Sequence, residues 1–389
     1  MHFLKQTWRA CAALFLVLAT LCATTLSQSG RTITTTTTTP PAASATPTPQ
    51  QQTPSTRPTP TSPSSSPQNK TTSQDDDDGD VERVETELTN VLLTALDKNR
   101  RFVTTLKQED IRVLEDGALQ NVSIFQRETD MPLSLVILVD TSASQQGVLK
   151  DEQEAARAFV DTVLRPGKDQ AAVISFTGAI KIEQELTGDR AKLHEGINRV
   201  KVLYTFDNPV CEDSELYPEE QAILCYTGVW NGIWLTIDTT LSKTPENTRR
   251  AIILLSDGDD TSKNTNTVAH TNRQEAIDYA LEHNTTVYSI GIRDENSPVG
   301  SLDRDALRKV SEQTGGRVFF PLDKEELVNS FHQIEQELRA QYLIAYSPTN
   351  KKRDGSFRQI KLDITNPELR KQKLRLLYRR GYYARRSRQ

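Results

Sequence analysis

The sequence predicts an α/β protein in which a mostly parallel sheet, covered by helices on both faces, is joined to a small β-sandwich. Between about residues 131 and 340, short apolar runs alternate with helical stretches, the pattern of such a sheet. The runs 133–139 and 251–255 are apolar almost throughout, as strands buried on both faces are. Strand-like segments lie before and after this region, and neither set is large enough to be stable alone. One small sandwich made from both ends is the simplest assembly, and two separate extensions of the central sheet are the alternative.

At 389 residues the chain has room for two compact units with tails, and its net charge of -5 gives no reason to expect nucleic acid as a partner. Lys5 and Arg9 precede an apolar run over 11–22, which predicts a secretory signal over 1–28. The run is short for a membrane span, although an uncleaved anchor or lipidation at Cys22 would tie the chain to a membrane. Leu21 is larger than lipid processing favours at that position. The expected location is outside the cytoplasm: periplasmic, cell-surface or secreted.

Residues 29–80 are rich in Thr, Pro, Ser and Gln, cannot bury a core, and predict a disordered linker. The acidic run 75–80 that closes it lacks the spacing of an EF-hand and is expected to be solvated. An N-terminal β segment follows over 81–130, with strands at 84–93, 111–115 and 122–126 and a turn at Asp116-Gly117. A C-terminal β segment over 341–389 has strands at 341–346, 357–364 and 374–378. Its last stretch, the basic run 379–388, is expected to be a frayed, solvated tail.

Within the central region the first strand ends at Asp140. A helix at 150–164 stops at Pro166-Gly167, and a strand at 171–176 turns at Thr177-Gly178 into an antiparallel edge strand at 180–186. A helix at 189–200, a long loop and a helix at 229–242 lead to the strand that ends at Asp257. Helices at 273–283, 303–314 and 324–340 then alternate with strands at 286–292 and 317–320.

Asp140 is followed by hydroxyls at alternate positions, Ser142 and Ser144. An ionised carboxylate at the end of a buried strand is costly unless compensated, and an all-oxygen donor set suits a hard cation. Asp and Ser are also favoured caps of a following helix, and the strand end alone fits both readings.

Two further elements accompany it: Tyr226-Thr227-Gly228 opening a helical stretch, and Ser256-Asp257-Gly258 ending a second buried strand. With these three elements, residues from about 131 to 340 resemble the von Willebrand factor A domain. The resemblance implies a doubly wound sheet whose first and fourth strands are neighbours, with the ligand site beyond their carboxyl ends. It further implies a metal-ion-dependent adhesion site. Ser142, Ser144 and Thr227 would ligate directly, and Asp140 and Asp257 would hold the ion through water. The implied ion is Mg²⁺, with Mn²⁺ or Ca²⁺ as alternatives, and its open position would take an Asp or Glu carboxylate of a protein partner.

Cys211 and Cys225 lie in the long loop, in a chain predicted to be exported, where oxidation is permitted. A bridge between them would contribute about 3 kcal/mol and would hold the loop that presents Thr227, while two free thiols are the alternative. Asp259 and Asp260 are expected to shape their loop with Thr261 and Ser262 rather than to bind a second cation.

Enzyme motifs fail one by one. His194-Glu195 lacks a second His three residues on, no Gly-x-Ser-x-Gly elbow exists, and Gly167-Lys168 lacks the upstream Gly of a phosphate loop. Ser142 stands where Asp-nucleophile phosphatases need a second Asp. The expectation is therefore an exported, bacterial-type, metal-dependent binding module of the adhesion kind, and not an enzyme. A metal-assisted hydrolase and a structural envelope protein with a vestigial site are the alternatives.

Overall fold

The computed structural model describes residues 88–127, 131–202, 226–262 and 271–386. The predicted signal and linker, and the cysteine pair Cys211 and Cys225, lie outside the described residues. Four strands come first: β1 (Thr89–Leu96), β2 (Ile111–Glu115), β3 (Ala118–Gln120) and β4 (Val122–Arg127). β2 and β3 pair as a hairpin whose turn residues, Asp116 and Gly117, have φ of 48° and 83°. Left-handed conformations at both positions match the twist of the paired strands, which is why Asp-Gly marks such turns.

The central sheet starts with β5 (Leu133–Asp140), buried at every position. Around it the chain alternates α1 (Leu149–Val163), β6 (Gln170–Phe176), β7 (Ile180–Thr187), α2 (Arg190–Arg199), α3 (Val229–Thr239) and β8 (Arg249–Ser256). It continues with α4 (Arg273–Glu282), β9 (Thr285–Gly291), α5 (Arg304–Thr314), β10 (Val318–Phe319) and α6 (Lys324–Ala340). Asp189, Asn272, Asp303 and Asp323 cap α2, α4, α5 and α6 by accepting from backbone N–H groups of the first turn.

Alternate side chains of a strand point to opposite faces, and β5 shows the result. Leu135, Ile137 and Val139 enter one core, closed by Phe159 of α1, Leu193 of α2 and Phe331 of α6. Val136 and Leu138 enter the other, closed by Ile233 of α3, Ile277 of α4 and Leu307 of α5. Each of these large side chains contributes about 1.5–3 kcal/mol by leaving water, so the strand is held from both sides.

The strand order is β10-β9-β8-β5-β6-β7, parallel except where β7 runs antiparallel to β6. The first strand of this sheet therefore lies beside the fourth, β8, and the order reverses between them. Asp140 closes β5, and Asp257 directly follows β8, so both stand at the carboxyl edge of that switch point.

After α6 come β11 (Tyr342–Tyr346), β12 (Phe357–Ile364), α7 (Pro367–Lys371), β13 (Arg375–Leu377) and β14 (Gly381–Tyr383). They join the first four strands in two sheets, β13-β1-β11-β4 and β14-β12-β2-β3. Val91, Leu93 and Ile344 of one sheet share a core with Val113, Ile360 and Leu362 of the other. The sandwich thus draws on both chain ends, as expected.

The basic run from residue 379 corrects one expectation. Its described part is not a frayed tail: β14 pairs with β12, and Arg379 is buried. Tyr382 donates to Glu115 Oε2 at 2.9 Å, and the Tyr383 ring meets that of Phe357 edge-on at 5.2 Å. The aromatic residues supply burial that the surrounding charges obscure in the sequence.

A buried polar group ties the sandwich to the α/β region. Glu337 of α6 is fully buried, accepts from Thr94 of β1 (3.5 Å) and Tyr288 of β9 (3.3 Å), and pairs with Arg317 (3.3 Å). Burial outweighs these partners and raises its carboxyl from 4.5 to about 7. A carboxyl that holds its proton longer when folded makes stability fall as pH rises from its unfolded toward its folded value. Denaturant titrations between about pH 5 and pH 8 should show a smaller fall for Glu337→Gln than for the wild type. Equal slopes would mean that Glu337 contributes nothing to the pH dependence.

Candidate metal centre

The centre is built where β5 and β8 end. Asp140 is fully buried, with Oδ1 accepting from Ser142 N–H at 2.9 Å and Oδ2 from the Ser256 hydroxyl at 2.7 Å. The first bond turns the chain from β5 toward the 3-10 turn Ala143–Gln145, whose N-cap is Ser142. Each carboxylate oxygen offers two lone pairs, and these bonds leave acceptor capacity on both. The turn brings the Ser142 and Ser144 hydroxyls to 3.1 Å from each other, and Gln145 Nε2 donates to the Ser144 hydroxyl at 3.2 Å.

Asp257 is also buried, and Oδ1 accepts from Asp259 N–H at 3.0 Å. Its Oδ2 is buried without a hydrogen-bond partner among the described residues. Burial raises the Asp257 carboxyl above the usual carboxylate range, although the Ser144 hydroxyl and the Asp259 N–H oppose the rise. Asp259 adds to the rise, and the Arg293 charge offsets part of it. Burial likewise lifts Asp140, to about 7, and the charge of Asp257 adds to the effect. Two desolvated carboxyls therefore repel each other across the switch point with no cation of this chain paired to either among the described residues.

Thr227 is placed by backbone bonds. Its N–H donates to the Thr261 hydroxyl at 2.8 Å, and its carbonyl accepts from Thr261 N–H (2.9 Å) and Ser262 N–H (3.1 Å). These bonds fasten the start of α3 to the loop that follows Asp257. Asp260 completes the fastening, accepting from Ser262 N–H (3.1 Å), the Ser262 hydroxyl (2.5 Å) and Trp230 N–H in the first turn of α3 (3.2 Å). Its role is that of a loop-shaping residue, as its sequence neighbours suggest. Asp259 instead holds Ser301, whose N–H donates to Asp259 Oδ2 at 3.0 Å.

Several residues at the centre carry no motif. Ser256 shares the Asp140 carboxylate, and only the pairing of β5 with β8 brings it there. The segment after β9 folds back over the turn: Asp294 N–H donates to Ser144 O at 2.8 Å, and Asp303 N–H to Asp257 O at 2.8 Å. Gly300 in this segment has φ of +80°, and a Cβ there would lie 2.8 Å from Asp257 Oδ2 and 3.0 Å from Ser144 Cβ. Glu152 of α1 is buried, and neither of its carboxyl oxygens has a hydrogen-bond partner among the described residues. Burial, then the charges of Asp140, Asp257 and Asp151, push it well above the usual range.

The described residues hold no cluster of three or more His, Cys, Asp or Glu side chains suited to a metal. The donors gathered here are instead two carboxylates and two hydroxyls, with Thr227 fastened to the adjoining loop. Oxygen donors of this kind, an orphaned buried Oδ2 and two buried carboxyls that repel each other fit a hard divalent cation. The described histidines are engaged elsewhere: His194 with Asp161, His283 with the Tyr279 carbonyl and His332 with Glu335.

Comparison with known families matches residues 135–211 to the von Willebrand factor type A domain. No curated protein matches the sequence. Among solved structures, the conserved hypothetical protein BatB from Bacteroides thetaiotaomicron is 18% identical, with 53% of this chain and 97% of that one covered and a TM-score of 0.39. A von Willebrand factor type A protein from Catenulispora acidiphila is 13% identical over 78% of this chain and 75% of that one, with a TM-score of 0.42. Proximal thread matrix protein 1 from the mussel byssus, with a zinc-occupied MIDAS motif, is 17% identical over 54% and 48% of the two chains, with a TM-score of 0.39. At these identities and scores nothing about ligand or activity transfers from them.

Proposed function

Because the chain carries a von Willebrand factor A-related domain, we propose that it is an exported binding protein that captures a partner's carboxylate through a divalent cation. The observation that supports this most is the pair of buried, mutually repelling carboxyls, Asp140 and Asp257, at the ends of adjacent strands. Ser142, Ser144 and Thr227 would ligate the ion directly, and Asp140 and Asp257 through water. Mg²⁺ bound there would present an open coordination position to an Asp or Glu side chain of a protein partner. Because hydroxyls rather than carboxylates touch the ion, most of its charge would remain available to the incoming anion. Val299, beside Gly300, is half exposed and offers apolar surface next to that position.

Export rests on the N-terminal residues 1–28. No helix among the described residues is long and apolar enough to cross a membrane. A hydrolytic role would need a base beside the ion; the described histidines have the partners named above, so a carboxylate such as Asp259 would have to serve.

Calorimetric titration of Mg²⁺ into the chelator-treated whole chain tests the site, and Mg²⁺-dependent retention on immobilised Asp-bearing peptides tests the role. Saturable binding with retention that a chelator reverses is the expected result. Absence of Mg²⁺ binding would sink the adhesion reading. Binding accompanied by steady ester or phosphoester turnover would favour a hydrolase.

Gly300→Ala should weaken Mg²⁺ binding by about tenfold, since its Cβ would push on Asp257 and Ser144. Gly117→Ala is the control, with a similar positive φ of +83° but nothing within 4 Å of the added carbon. Equal Mg²⁺ affinity in the two variants would show that the segment carrying Gly300 does not shape the centre.

A further inference from the structure

The opposite, amino edge of the central sheet encloses a separate cavity of about 50 Å³ against the sandwich. Its walls include Leu92 of β1, Thr248 before β8, Leu281 of α4, Thr286 of β9, Leu343 of β11 and Arg379. Space on this order holds a few water-sized groups, which is the size of a small oxyanion.

Arg379 gives the cavity its chemistry. The side chain is only 8% exposed, and buried charges are ordinarily paired. Its terminal nitrogens donate to neutral acceptors alone: Nη1 to Asn284 Oδ1 and to Leu281 O (3.4 Å), and Nη2 to Asn90 O (2.6 Å). The guanidinium also lies 5.4 Å from the centre of the Tyr382 ring. Nε is buried without a hydrogen-bond partner, and no carboxylate is paired with Arg379 among the described residues. Desolvation lowers its pKa to about 10. The neighbouring Tyr346 and Tyr382 oppose that fall. The carbonyls at the end of α4 supply partial negative charge, which steadies the guanidinium without neutralising it.

We infer that this cavity binds a small oxyanion, of carboxylate or phosphate size, with Arg379 as its counter-charge. Arg249 also lines the cavity and adds positive charge, with its Nη1 donating to Leu338 O at 2.6 Å. Glu246 is the one acidic side chain among the lining residues. Its carboxylate is largely exposed and paired with Arg385 at 3.1 Å, so it opposes an anion only weakly. An anion seated between these groups would join β1, β9 and the segment that leads into β14, pinning the sandwich to the base of the α/β region.

The test is calorimetry on the whole chain with sodium acetate and, separately, sodium phosphate, at constant ionic strength. Saturable binding of at least one anion is expected, and whichever anion binds defines the class as carboxylate or phosphate. Glu246→Gln, at an exposed position, should tighten the binding by about threefold. Arg379→Gln should weaken it by about tenfold or more, the worth of a hydrogen bond to a charged group. No saturable heat from either anion, or an affinity that neither Arg379→Gln nor Glu246→Gln changes, would overturn the assignment.

Discussion

Asp140→Ala should abolish measurable Mg²⁺ binding, with a loss of about a hundredfold or more in affinity, against saturable binding by the wild type. The expectation follows from position. Asp140 is buried at the end of β5, is held from both oxygens by Ser142 and Ser256, and faces the unpaired Oδ2 of Asp257 across the switch point. A cation there would relieve the repulsion between the two carboxyls, and the substitution removes half of the charge that attracts it. The same repulsion predicts that, without metal, Asp140→Asn unfolds at no lower denaturant concentration than the wild type, because one of two mutually repelling buried charges is gone. Calorimetry and denaturant titration on the same preparations check both parts. Unchanged Mg²⁺ affinity in Asp140→Ala would move any cation site away from this edge.

Glu152→Leu should stabilise the metal-free protein by about 1–3 kcal/mol near neutral pH, the cost of a buried polar group left without a hydrogen bond. Most buried substitutions destabilise, so the sign is informative. Glu152 lines a small, mostly apolar cavity with Ile137, Val139, Leu149 and Leu255, neither of its oxygens has a hydrogen-bond partner among the described residues, and burial together with Asp140 and Asp257 disfavours its charged form. Its pKa is raised, so its cost grows as pH rises above the unfolded carboxylate value, and the gain in Glu152→Leu should grow with it. Saturating Mg²⁺ should shrink the gain, because a cation beside Asp140 and Asp257 offsets the field those carboxylates impose on Glu152. A loss of stability in Glu152→Leu would show that the carboxyl has a partner, such as an ordered water, that compensates its burial.

What could be read from the chain follows the reach of each interaction. The ends of β5 and β8 are local features: an apolar run, a carboxylate and hydroxyls at alternate positions. Ser256 stood next to Asp257 in plain view, but its bond to Asp140 depends on β5 and β8 being neighbours, which no local pattern encodes. Gly300 is one glycine in a polar stretch, and its value lies in a positive φ close to Asp257. Glu152 looks like any acidic residue in the first turn of a helix, where the helix dipole favours it. Only the packing of α1 against the sheet turns it into a buried acid. The basic C-terminal run misleads for the opposite reason. Its charges dominate the composition, while the burial of Arg379 and the partial burial of Tyr382 depend on strands more than 200 residues earlier, as the Arg379–Asn90 and Tyr382–Glu115 bonds show.

A sandwich shared between the two chain ends also sets an order of assembly during synthesis. β1 emerges early, yet its neighbours β11 and β13 are made only after the entire α/β region. The growing chain must therefore carry β1 as an unpaired strand while the central sheet gathers its own cores, and close the sandwich last. Premature termination before β14 would leave the edge of β12 unpaired and remove the Tyr382 partner of Glu115, so shortened chains should aggregate rather than persist as a functional fragment. Additions immediately after Tyr383 would crowd the last strand to join the fold.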